Sequence, residues 1–463
     1  MADYLDEVSA FVADTDFSDI PDPAVYRARR VLTDTIAAIA SGSAEPEVVA
    51  LLDRMAGCGG PASLVGPGRR SEPATAAFLN GTAGTFLELD EGNQYSRGHP
   101  AIHALPSALA VAEEIGASGQ AFLIALVLGY EVGARIGMAA KILPTMHPHG
   151  TWGTVGSAVA VAKLMGASAD KVREVINVAS TLGLATSRQT MLQGGTVRNS
   201  FAGVSGQMGI LVWHMVESGF TGEADGLSTI WRSVSSTDWQ PSEMTKELGS
   251  RFEIARNYFK RHACCRYNHG TLDALAMIDR ECGGLSAEKV EHIRVETYSL
   301  AAELSNPNPR NTLAGKFSIP FAVASTLMNR SSGVESFTWD KIRDPAIQAF
   351  ADKVEVLEDP ALTAKMPDFR PSRVTVEFTD STQLSAETMT NRGDTEDPYD
   401  DDELDRKYVE LTARVWSDAV SKNIYDHCFR VDQLDNINQL TNQLGRHEIK
   451  IKDVSDVSAH GSN

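Results

Sequence analysis

Four short stretches of this chain concentrate side chains able to move a proton or hold an acid. The first is FLELDEGNQYSRGHP, Phe86 to Pro100. Glu88, Asp90 and Glu91 close one segment, a glycine-containing loop follows, and His99 precedes a proline suited to the first turn of a helix. An imidazole at a helix N-terminus lies in a field that disfavours its charged form. Neutral near pH 7, it can take a proton as a general base. A helix-capping histidine is the alternative. The second stretch is HPHGTWGTVG, His147 to Gly156, where two of the chain's 11 histidines stand two apart before a glycine-spaced run. Backbone N–H groups at a glycine-rich helix start attract anions. His147 and His149, with the Gly150–Thr151 backbone, could therefore bond a carboxylate. Tight helix packing around structural histidines is the alternative. A metal site needs a third ligand that the local sequence does not supply.

The third stretch is GGTVRNSFAG, in which the fork of Arg198 suits a carboxylate unless it is an ordinary surface arginine. The fourth is FKRHACCRYNH, Phe259 to His269. Lys260, Arg261, His262, Arg266 and His269 crowd one junction, and so many donors in an acidic chain suggest an acidic ligand. Cys264 or Cys265 could act as a nucleophile if its thiolate were stabilised; the alternative is a core cysteine.

The elements around these stretches are mostly helical. Residues 1 to about 260 read as helix after helix. One opens at Asp22-Pro23 and stops at Gly42, and others follow at about 46–57, 74–87, 101–115, 118–138, 152–165, 169–183 and 202–219. Alanine, glycine and serine on many faces predict a bundle with closely approaching backbones. The character then changes. HIRVETY, His292 to Tyr298, alternates as a half-buried strand does, and RVTVEFTDSTQLSAETM reads as two strands joined near Asp380-Ser381. Helical segments at 271–282 and 317–328 lie between. The fold class is therefore mainly α: an all-helical main domain at 1–267 and 396–463, formed by both chain ends, with an inserted smaller α+β domain at 268–395. The acidic run DTEDPYDDDELD reads as a solvated hinge and helix start rather than a cation site. The last residues, about 448–463, are polar and read as loose.

The length of 463 residues points to two domains, taking about 150 residues for each. A net charge of -19 argues against nucleic acid, yet one pocket of an acidic protein can still be basic. MADYLDEVSAF lacks the basic and apolar regions of a secretion signal. The apolar run AFLIALVLGY is shorter than the roughly 20 residues a membrane span needs and predicts a buried helix. The five cysteines are odd in number and scattered, as in a reducing compartment, so a cytoplasmic protein is expected. No cysteine–histidine spacing encodes a zinc or iron–sulfur site.

The blocks ATAAFLNGTAGTFLELDEGN, GHPAIHALPSALAVAEEIGASG, MHPHGTWGTVGSAVAVAKLMG, SGFTGEADGL, YFKRHACCRYNHGTLDAL, AGKFSIPFAVASTLM and RGDTEDPYDDDELDRKYVELTARV, in that order, resemble the MmgE/PrpD family. That family includes 2-methylcitrate dehydratase, cis-aconitate decarboxylase and iminodisuccinate epimerase. The resemblance implies a homodimer without metal or organic cofactor. It also implies chemistry on a small di- or tricarboxylate at a carbon next to a carboxylate. The family's acidic motif falls on Glu88 and Asp90, with Glu88 where an Asp is usual. His99 matches the active-site histidine of the His-Pro pair, His147 that of the HPTGTWG-like motif, and Lys260 the motif lysine. Arg198 stands where many members have lysine, Cys265 where some have histidine, and Phe321 where many have tyrosine, while His269 stays at a matching position.

These matches give a set of expectations. His99 is the first acid/base candidate and His147 the second. Lys260 and Arg198 bind carboxylate with the helix start after His149, aided by Arg261, Cys265 and His269. Glu88 and Asp90 orient a histidine or hold a hydroxyl. The expected reaction is a hydro-lyase like 2-methylcitrate dehydratase. Epimerisation, decarboxylation, or a non-catalytic carboxylate-binding relative are the alternatives.

Overall fold

A computed structural model describes residues 3–57 and 59–445. The predicted helices form where capping residues and glycines place them. Pro23, Pro46, Pro73 and Pro100 sit in first turns, Ser118 and Ser168 cap their helices, and Gly116 closes Pro100–Ile115 in a left-handed conformation. The apolar run becomes Gly119–Ala139, the one described helix long and apolar enough to cross a membrane. It is mostly buried in the bundle, packed against Gly153–Leu164 and Pro100–Ile115. A Cβ at Gly129 would lie 2.6 Å from the Gly156 carbonyl oxygen, so these two helices meet backbone to backbone.

Both ends of the chain share this core. Val31, Leu32 and Ile36 from Asp22–Gly42 cluster with Leu404, Trp416, Ile424 and Leu440 from the C-terminal helices. Arg30 bridges to Asp405 at 2.5 Å. Asp400 caps Asp401–Thr412, and Glu403 returns a bond to the Asp400 amide, so part of the acidic run starts a helix. The tail at 448–463 lies outside the described residues.

A second core lies under a four-stranded sheet ordered Val354–Glu358, Val290–Thr297, Ser372–Phe378, Gln383–Thr388. The first two strands are parallel and the remaining neighbours antiparallel. Ile293, Val295, Val374 and Val376 are fully buried with Leu272, Leu275 and Ile278 of His269–Glu281, on the period-2 face that the sequence shows. Val354–Glu358 is an addition to the sequence reading: five residues, two of them glutamates, make too short an alternation to stand out beside the following helix. Leu87, Leu89, Tyr408 and Leu411 join this second core, which ties it to the helical body around the acidic motif.

Candidate active site

Beyond the helix Pro73–Phe86, Glu88 takes a φ of 56°, which costs a non-glycine residue about 1–3 kcal/mol. Its carboxylate meets the Arg198 guanidinium through Nη1 and, at 3.3 Å, Nη2. Each side chain is 2% exposed, so the pair is a buried fork. Asp90 Oδ1 accepts from Lys260 Nζ at 3.2 Å, and Lys260 is completely buried. Asp90 Oδ2 lies 3.3 Å from His99 Nδ1 yet receives no hydrogen bond, because that nitrogen bonds the Glu91 carbonyl at 2.6 Å.

A carbonyl can only accept, so His99 Nδ1 carries the proton and Nε2 keeps its lone pair. Burial drives the His99 pKa down to about 3, against the pull of Asp90. Burial pushes the Asp90 carboxyl up, but Lys260 and His99 outweigh it and hold it at about 2.

His103 sits one turn beyond His99. Its Nδ1 donates to the His99 carbonyl at 2.8 Å and its Nε2 accepts the Gly150 amide at 3.2 Å. A Cβ at Gly153 would lie 2.1 Å from the His103 ring, so glycine there lets the ring lie against the next helix start. His147 Nδ1 accepts the His149 amide at 3.1 Å, which leaves its proton on Nε2. Arg198 Nε stands 3.5 Å from that Nε2; two N–H groups facing each other make a contact, not a bond.

The His149 ring lies among the other three, 4.7 Å from His99, 5.0 Å from His147 and 5.1 Å from His103 between centroids. Both His149 nitrogens are buried without a hydrogen-bond partner among the described residues. Such orphaned atoms call for a bound group. Burial, and after it Arg198, keeps His147 and His149 well below the usual histidine range, hence neutral.

These side chains form one wall of a cavity of about 440 Å³, a size that suits a small ligand. Glu88, His99, His147, His149, Arg198 and Cys265 line it. Asp90 and Lys260 stand behind the wall, paired with each other, and Asp90 lies against His99.

Several expectations are corrected. Arg198 is no free carboxylate clamp, since its fork is closed on Glu88. The start of Gly153–Leu164 is no open anion site: the Gly150 amide goes to His103, and the Thr151 hydroxyl to the Pro148 carbonyl at 2.5 Å. Arg261 lies on a different cavity, paired with Glu410 at 3.2 Å. His269 is buried against His262 and the Cys264 carbonyl, away from the histidine cluster. Burial pushes Cys265 up to about 11 and Cys264 higher, so both thiols stay protonated and neither is a ready nucleophile. Phe321 is buried against Phe337 and does not line the cavity.

The sequence reading missed His103, Tyr258, Arg97 and Arg370. The His99–His103 spacing of one helical turn could have shown the first. One atom each from Asp90, His99 and His149 lie within 4.8 Å of one another, a spacing that could hold a metal ion. The fold thus gives His149 partners that the local sequence does not, although Lys260 already sets a cation on Asp90.

The sequence matches the MmgE/PrpD N-terminal domain over residues 6–235 and the MmgE/PrpD C-terminal domain over residues 262–430. The chain belongs to the MmgE/PrpD family. It is similar to the cis-aconitate decarboxylase-like protein oryM of Aspergillus oryzae, at 26% identity over 440 residues, covering 88% of this chain and 90% of the relative. The cis-aconitate decarboxylase of Aspergillus terreus is 22% identical over 468 residues, covering 95% of each. That of Homo sapiens is 24% identical over 407 residues, covering 82% of this chain and 80% of the relative. In this MmgE/PrpD chain the cavity draws His99, His147 and Arg198 from the N-terminal match, and Cys265, Phe317 and Arg370 from the C-terminal one.

Proposed function

We propose that this MmgE/PrpD protein is a lyase that takes a proton from a carbon next to a carboxylate on a small di- or tricarboxylate. The observation that carries this reading is the His99 ring, with Nδ1 tied to the Glu91 carbonyl and the Nε2 lone pair left free on a ring that lines the cavity. Such a C–H bond is weakly acidic. Its removal needs a fixed base and N–H donors on the enediolate oxygens that form. His147, neutral and protonated on Nε2, suits the second task, as a neutral imidazole can donate to a developing oxyanion. Loss of a β-hydroxyl as water, protonated by the imidazolium that His99 has become, would complete a dehydration like that of 2-methylcitrate. Decarboxylation is the second reading, favoured by the names of the Aspergillus and human relatives. It makes the carbanion by losing CO2 and then needs an acid. A homodimer is part of the proposal, and light scattering that returned the mass of one chain would remove it.

The test is incubation with citrate, 2-methylcitrate, cis-aconitate and iminodisuccinate, with products followed by NMR and CO2 trapped. Turnover that falls at least about a hundredfold in His99→Ala supports the reading. CO2 from cis-aconitate selects decarboxylation over dehydration, and inversion of iminodisuccinate selects epimerisation. Saturable binding without turnover identifies a carboxylate binder instead.

A further inference from the structure

The cations that the sequence marks for carboxylate binding are already spent, which raises the question of what neutralises a polyanionic guest. Of the guanidiniums lining the cavity, Arg198 is on Glu88, Arg188 on Glu303 at 3.0 Å, and Arg266 on Asp394 with Tyr258 beneath it. Arg97 and Arg370 line the same cavity and have no carboxylate partner among the described residues. Arg370 is only 9% exposed, and its guanidinium makes a long bond, 3.4 Å, to the Gln94 carbonyl. Arg97 is exposed at the cavity rim and has no side-chain partner among the described residues; partial desolvation there and then the nearby charge of Arg370 disfavour its protonated form. Arg97 and Arg370 thus put two like-charged forks on one cavity wall, with a carboxylate paired to neither among the described residues. The loop that carries Arg97 is fixed. Asn93 Oδ1 accepts the Tyr95 and Ser96 amides, and Asn93 pairs with Gly98 across the turn. Arg97 is thereby held two residues from His99.

We propose that Arg97 and Arg370 form a second carboxylate site, which makes this protein prefer acids bearing a further carboxylate beyond the one at the reacting carbon. This rests on the proposed carboxylate chemistry at His99 but uses different residues. A charge-assisted bidentate bond would hold the distal group while the reacting carbon lies by His99 Nε2.

Calorimetric binding at constant ionic strength tests it, with glutarate as the dicarboxylate probe and butyrate as the monocarboxylate probe. It is read in a His99→Ala background so that no chemistry intervenes. The unmodified arginines should favour glutarate by about tenfold or more. Arg370→Gln should remove most of that preference and leave butyrate within about twofold; Arg97→Gln, on an exposed residue that does not endanger folding, should remove part of it. Equal loss for both acids, no loss in either variant, or no preference at the start would overturn the proposal. Failure of the His99 reading shows separately, as turnover that survives His99→Ala in the unaltered cavity.

Discussion

Two cavities of this protein differ in a way that size alone conceals. The larger, about 840 Å³, is bordered by Arg261, Arg392, Arg414 and Lys407. Each of these has a carboxylate: Glu410, Asp397 with Glu403, Glu45 and Asp34 respectively. Even His262 there is bonded on both nitrogens, to Ser332 and Asp273. The smaller, about 440 Å³, holds, among the described residues, a histidine with no partner on either nitrogen, another with a free lone pair, and two arginines without a carboxylate. A satisfied wall asks nothing of a ligand, whereas an unsatisfied one does. The difference in polar bookkeeping, rather than in volume, supports the proposal that chemistry takes place in the smaller cavity.

The largest test of that contrast is kinetic. His99→Ala should lower turnover by about 10²–10⁴-fold, while Arg261→Gln and Arg414→Gln, on the larger cavity, should leave it within about twofold. Comparable losses from both sides, measured as kcat/KM on the same acid, would erase the distinction. Stability offers the next. Arg198→Met strands the Glu88 carboxylate in a buried site and should cost about 3–5 kcal/mol in denaturant unfolding. Arg261→Met only returns the exposed Glu410 to water and should stay within about 1 kcal/mol.

The third test is acid. The unfolded chain's histidines take up protons below about pH 6.5, but His99 resists to about 3 and His103 to about 4. Stability that these rings contribute is therefore present above pH 6.5 and lost as pH falls toward their folded values. Glu91 and Glu131, raised by burial to about 8 and about 7, act in the opposite sense between pH 4.5 and those values. The steep drop in Tm is expected below about pH 4.5, and His99→Gln should make it shallower. An unchanged slope would show that His99 is not buried neutral. The smallest expected effect is from Cys265→Ala, within about threefold in turnover, because a protonated thiol on the wall contributes packing rather than attack.

The helices were legible because their signals are local: a proline or capping serine at the start, a glycine at the end, and a mostly apolar run between. Val354–Glu358 was not, since a strand that short is set by the neighbour it pairs with. The same split runs through the site. His99, His147 and Lys260 stand out by residue type and by motif, and the fold brings them around one cavity wall, Lys260 behind it. Which charges remain free depends on partners far away in the chain. Arg198 reads as an open fork until Glu88, 110 residues earlier, is laid against it. Arg370 sits in MPDFRPS, where nothing local distinguishes it from a surface arginine.

The most direct measurement of the role of His99 is deuterium wash-in at a single carbon. The unmodified protein in D2O near pH 7, with whichever acid of the panel it turns over, should exchange the proton next to the reacting carboxylate, seen as loss of that NMR signal in recovered substrate. His99→Gln, shown by its melting curve to be folded, should slow that loss by about a hundredfold or more. Equal exchange rates in the two proteins would mean that the proton is taken by some group other than the His99 imidazole.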